Sequence, residues 1–155
     1  MRRLIAAALL SLGLAGPALA DEAKDRADVL AVVDRFFVAM AKHDAKAWAD
    51  MSLPDAPTTV QSYLPDGTFK LRRSTVTEMS ANLASGQEMN ERIWKPTVLV
   101  RGPMAVVWAP YEFKLAGQQH HCGIDVFHLM QVDGAWKLSA VSWTQEPKAC
   151  AELGA

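Results

Sequence analysis

The stretch "AGQQHHCGIDVFHLM", residues 116–130, gathers three histidines, a cysteine and an aspartate. Imidazole is the side chain that titrates nearest neutral pH, so His120, His121 and His128 are candidates for proton transfer or metal ligation. A thiol such as Cys122 can act as nucleophile, ligand or disulfide partner. What the cluster does depends on which of these groups share a face. Along a β-strand successive side chains point to opposite faces. That parity places His121 and Asp125 on one face and His120, Cys122 and His128 on the other.

Ala116-Gly117 and Asp133-Gly134 read as two-residue hairpin turns, which fix the cross-strand partners. Leu115 then meets Gln118, Glu112 meets His121, Trp108 meets Asp125 and Val106 meets Phe127. Across the next hairpin Leu129 meets Leu138, Phe127 meets Ala140, and Asp125 meets Ser142. Directly opposed residues share a face. One face is therefore expected to carry Trp108, Glu112, His121, Asp125 and Ser142, with Phe127, Leu129 and Leu138 as adjoining core. The reverse face would carry Tyr111, Phe113, Ile124 and Trp143, and its apolar character predicts a homodimer packed through it. A one-residue bulge near Pro110 would reverse part of this assignment.

On that register His121 is the candidate general acid or base, oriented by Glu112 or Asp125. The bland counterpart is a cross-strand pair that only stabilises a polar rim. Trp108, Ser142 and Phe127 are expected to contact a ligand. Glu112, His121 and Asp125 are acceptable metal-ligand types, but they lack a local ligand spacing, so no metal is expected. No phosphate-cradling glycine loop is present, and no cofactor is expected. The two cysteines, Cys122 and Cys150, read as a disulfide.

Helical periodicity runs through residues 24–42, with Val29, Val32, Val33, Phe36, Phe37 and Met40 on one stripe. Asp44 can cap a shorter helix that Pro54 ends. "TTVQSYL" reads as a strand and "PDG" as a turn. Thr75 with Glu78 forms a capping box for a third helix that stops near Gly86. From Glu88 onward the period changes to two, and four long strands are separated by "RGP", "AG" and "DG". The predicted class is α+β: a strongly curved, cone-shaped antiparallel sheet packed against three N-terminal helices.

The chain opens "MRRLIAAALLSLGLAGPALA", basic residues followed by a short apolar run and Ala18-Leu19-Ala20. This is the pattern of a cleaved signal peptide over residues 1–20, and the run is too short for a permanent membrane anchor. The mature chain, 21–155, is expected to be one periplasmic or secreted domain. Taking Arg2 and Arg3 from the 16 basic residues leaves 14 against 17 acidic ones, a net charge of −3. There is no basic cluster, so nucleic-acid binding is unsupported and not expected.

The stretches "VWAPYEFKLAG", "HHCGIDVFHLM" and "DGAWKLSAVSWT" resemble the nuclear-transport-factor-two-like superfamily over roughly residues 26–146. That group includes ketosteroid isomerases, scytalone dehydratase and SnoaL-like polyketide cyclases, and the closer likeness is to its lumazine-binding branch. The resemblance implies a cone whose concave face encloses a pocket (a cystatin-like α+β roll). Ketosteroid isomerases use a tyrosine on the first helix; Phe36 and Phe37 occupy that region here. The leading expectation is an exported protein that binds a small apolar or aromatic molecule. The alternatives are a cofactor-free lyase, isomerase or hydrolase using His121, and a dimeric interaction module with a vestigial pocket.

Overall fold

A computed structural model describes residues 17–83 and 86–155 of the chain. The expected signal segment lies largely outside the described residues. The elements run α1 (Pro17–Ala41), α2 (Ala45–Asp50), β1 (Pro57–Tyr63), β2 (Phe69–Thr75), α3 (Val76–Leu83), β3 (Met89–Ile93), β4 (Thr97–Arg101), β5 (Met104–Leu115), β6 (Gln118–Val132), β7 (Ala135–Gln145) and α4 (Cys150–Leu153).

The helices form where the caps and stripes direct them. The Asp44 side chain accepts from the Ala47 backbone N–H at 2.9 Å and so starts α2. The Thr75–Glu78 capping box closes in both directions: the Thr75 N–H donates to Glu78, and the Glu78 N–H donates to Thr75 Oγ1. Val29, Val32, Val33, Phe36, Phe37 and Met40 of α1 are all buried in the core. Phe36 stacks on Trp48 of α2 with centroids 4.5 Å apart, and the Trp48 indole N–H donates to the Phe36 carbonyl. Phe36 also meets Phe127 of the sheet edge-on at 5.5 Å between centroids, which joins the two helices to the core.

The sheet has seven strands in the order β2-β1-β7-β6-β5-β3, with β4 beside β3 on the same edge of β5. Every pairing is antiparallel except β1 with β7, which is parallel. Three details differ from the sequence expectation. Residues 69–75 form β2, whose side chains are mostly exposed and so lack a period-two apolar pattern. The stretch 88–100 is broken into β3 and β4 around Lys95, which has a positive φ of 46°. A short C-terminal helix, α4, follows the sheet.

Both hairpin turns form as expected. Ala116-Gly117 and Asp133-Gly134 each place two successive residues at positive φ, the type I′ geometry whose twist suits a hairpin. Beyond the turns the register departs from simple pairing. Lys114 meets Gln119, but Phe113 meets His121, leaving His120 as an extra residue in β6. His128 meets Ala140 while Leu129 meets Leu138, leaving Ser139 as an extra residue in β7. Each bulge shifts the alternation by one beyond it.

Candidate functional site

The two bulges decide which side chains look into the cone. On the concave face, Glu91 of β3 stands beside Phe113 of β5, and Phe113 stands beside His121 of β6. Asp125 of β6 stands beside Trp143 of β7, which in turn pairs with Val60 of β1. Tyr111 lies between these rows, fully buried against Gly123.

His121, Asp125 and Phe127 therefore share the concave face, as the parity of β6 requires. Their expected neighbours do not. Glu112 is paired with Cys122, and Trp108 and Ser142 are paired with Val126, all on the convex face. Trp108 is 43% exposed there. The reverse-face set is corrected by the same slip: Tyr111, Phe113 and Trp143 turn inward and do not share the convex face with Ile124. Ile124 remains on the convex side, because it alternates with the concave Asp125 along β6.

Glu112 is held away from the cone by its own partners. Gln119 Nε2 donates to it at 2.7 Å and Arg92 Nε at 2.7 Å, with Lys114 Nζ at 3.7 Å. The Gln119 hydrogen bond, then Arg92 and Lys114, lower its pKa. The residue is a charged fastening across the convex strands.

The concave face and the helices line a cavity of about 520 Å3 that is open on one side. Its walls include Phe36, Trp48, Phe113, Phe127 and Trp143, while Arg72, Glu78 and Asn82 are exposed at its rim. Its polar groups deep in the cone are His121, Asp125 and Glu91. Size and lining suit a small organic ligand.

Asp125 is 3% exposed, and its Oδ2 receives no hydrogen bond. Its carboxyl group meets that of Glu91 within hydrogen-bonding reach. Glu91 is half-buried and lines the same cavity. Burial pushes the Glu91 carboxyl up to about 8. Burial, and then the Glu91 charge, raise Asp125 well above the usual carboxylate range. Two buried carboxyls in contact cannot both ionise cheaply, so the pair retains a proton.

His121 is 4% exposed, stacked on Phe113 at 5.0 Å between centroids. Its Nδ1 lies 2.7 Å from Nδ1 of His120, the bulge residue. Burial, and then the charge of His120, lower its pKa to about 4. It is a neutral imidazole at neutral pH. Tyr111 donates to the Thr144 carbonyl at 2.6 Å, and burial raises its pKa, so its hydroxyl stays protonated.

Sequence reasoning missed Glu91, Phe113 and Trp143. Glu91 lay in a stretch read as one strand with no assigned partner, and the other two were placed on the wrong face by the unbulged register. Among the described residues, no three His, Cys, Asp or Glu side chains converge on a position that could hold a metal. The expected Cys122–Cys150 disulfide is present, tying α4 to the convex side of β6.

No protein-family model and no curated protein matches the chain. Solved structures do. A Novosphingobium aromaticivorans protein with a cystatin-like fold superposes with a TM-score of 0.70 at 14% identity, covering 90% of this chain and 96% of its own. The chain has the nuclear-transport-factor-two-like fold. A Mycobacterium tuberculosis protein of unknown function also gives a TM-score of 0.70 at 14% identity, covering 86% of this chain and 78% of its own. A Streptomyces avermitilis member, provisionally described as a dehydratase, gives 0.61 at 16% identity, over 80% and 97%. The fold by itself assigns no function.

Proposed function

We propose that this is an exported small-molecule-binding protein that holds an apolar, aromatic ligand inside the cone. The observation that carries the reading is the cavity with aromatic walls, with Asp125 Oδ2 buried beside it and unpartnered. A buried acceptor without a donor costs stability, and a ligand donor reaching it would recover that cost. Export rests on the N-terminal sequence and on the disulfide, which suits an oxidising compartment. No described helix is long and apolar enough to cross a membrane.

The test is binding of prodan, a neutral naphthalene dye, followed by its fluorescence, together with mass spectrometry of molecules carried through native purification. Val141→Phe, which adds bulk inside the cavity, should weaken binding at least tenfold. Trp108→Ala on the convex face should leave it unchanged. Unaltered binding to a folded Val141→Phe protein would overturn the reading.

A second reading has one observation in its favour. The same cavity holds a neutral base, His121, and a protonated carboxyl pair, the partition of pKa values that acid–base catalysis requires. A cofactor-free lyase, isomerase or hydrolase would then show a rate that rises with pH through about 4 and falls through about 8. Flat pH dependence of any turnover found would exclude this chemistry.

A further inference from the structure

We propose that the ligand of this cavity is a cationic amine with an aromatic body, whose ammonium binds against the Asp125–Glu91 pair. The inference rests on the reading of the cavity as a ligand site and names the chemistry that the site selects.

The electrostatic setting favours a cation. Among the described residues lining the cavity, the carboxyls are Glu78, Glu91 and Asp125, and the only Lys or Arg is Arg72, exposed at the rim. The other nearby cations, Arg92 and Lys114, are spent on Glu112 at the convex face. An anionic ligand would find a single cation, at the rim, and would oppose any ionisation of the buried pair. A neutral ligand would leave the buried pair as costly as before, apart from one donated hydrogen bond. An ammonium has several N–H donors and a full charge, and can satisfy both carboxyls at once. The aromatic side chains of Phe113, Phe127 and Trp143 line the same cavity and suit the aromatic body of such a ligand.

The groups facing the pair allow this exchange. On β6 the facing group is His121, uncharged at neutral pH. On β5 it is Tyr111, whose hydroxyl is committed to Thr144 and gives no proton to Asp125. Glu146, beyond β7, adds a further negative field at Tyr111 along with Asp125 and Glu91. Arg72 on β2 and Glu78 on α3 stand at the rim with opposite charges.

The proton balance follows. Below the Glu91 value of about 8, the empty pair is protonated. An arriving ammonium takes the place of one carboxyl proton, which leaves to solvent, and the ligand keeps its own protons. Affinity for the amine therefore rises about tenfold per pH unit below about pH 8 and levels off above it.

The experiment compares 2-naphthylmethylamine with 2-naphthylmethanol, which share a ring and differ in the polar head. Titration calorimetry at pH 6 and pH 7, in buffers of different ionisation enthalpy, reads both affinity and protons exchanged. The amine should bind at least tenfold more tightly at pH 7, release close to one proton, and weaken about tenfold at pH 6. The alcohol should exchange none. Asp125→Asn should reduce the amine's affinity to that of the alcohol. Equal binding of the two compounds, or amine binding without proton release, would overturn the amine assignment while leaving the cavity a ligand site. If neither compound binds and prodan also fails, the ligand-site reading falls and the amine assignment with it.

Discussion

The carbonyl oxygen of Thr144 lies 2.2 Å from the point where a Cβ on Gly123 would stand, and Thr144 Oγ1 lies 2.8 Å from it. Only a residue without a side chain permits that approach. Through it Thr144 reaches three partners: its carbonyl accepts from Tyr111, and its hydroxyl accepts from the Ile124 N–H and donates to Glu146. The end of β7 is thereby laid against β6 beside His121 and Asp125. Gly123→Ala should force these strands apart and cost about 3 kcal/mol or more, a severe loss for a single methyl group. Gly134→Ala, where the added Cβ meets nothing within 4 Å, should cost less, its penalty limited to positive-φ strain. Urea unfolding of the two variants gives the comparison.

Asp125 and Glu91 make a second relationship that can be read in stability. Their folded pKa values lie above those of the unfolded chain, so the folded pair keeps protons that the unfolded chain has released. The native state accordingly loses stability as pH rises from about 4 toward about 8. Asp125→Asn removes the contact between ionisable carboxyls. It should be more stable than the parent at pH 8, by about 1–3 kcal/mol, the scale of a buried unsatisfied group, with the difference shrinking toward pH 4. Thermal melts across pH test this, and an equal effect at both ends would show that the pair does not titrate in this range.

His121 has the opposite sign. Its folded value, about 4, lies below the unfolded value of 6.5, because burial disfavours the imidazolium. Its contribution is complete above pH 6.5 and is lost as pH falls toward 4. The loss should be on the order of 2 kcal/mol, allowing for partial solvent screening. His121→Phe, which keeps a ring against Phe113, should flatten this acid limb and leave the alkaline limb of the carboxyl pair in place.

How much of this was legible in the sequence depended on the range of the signal. The caps at Asp44 and Thr75–Glu78, the α1 stripe, both I′ turns and the disulfide are set by nearby residues or by the cysteine count, and all are seen in the structure. The face shared by His121 and Asp125 needs only the alternation along one strand. Trp108, Glu112 and Ser142 needed the count between strands, and the single extra residues His120 and Ser139 reversed it. Nothing in the composition of "QQHHC" or "KLSAV" marks a bulge, since neither contains glycine or proline. Glu91 was beyond reach for another reason: its partner Asp125 is brought to it across β5, a tertiary relationship.

The Cys122–Cys150 bond spans 28 residues. Cys122 is on the convex side of the same strand as His121, and Cys150 opens α4. The tail is fastened a second time, by the Trp94 indole N–H donating to the Leu153 carbonyl at 3.0 Å. Closing a loop of this length restricts the unfolded chain, which the chain-entropy model values at about 3–4 kcal/mol. A Cys122→Ala/Cys150→Ala double variant should lose most of that stability in urea unfolding. Neither cysteine lines the cavity, so the folded variant should bind prodan with unchanged affinity. A large affinity loss in a protein that remains folded would mean that the bond also positions His121, and that the convex fastening and the cavity are mechanically coupled.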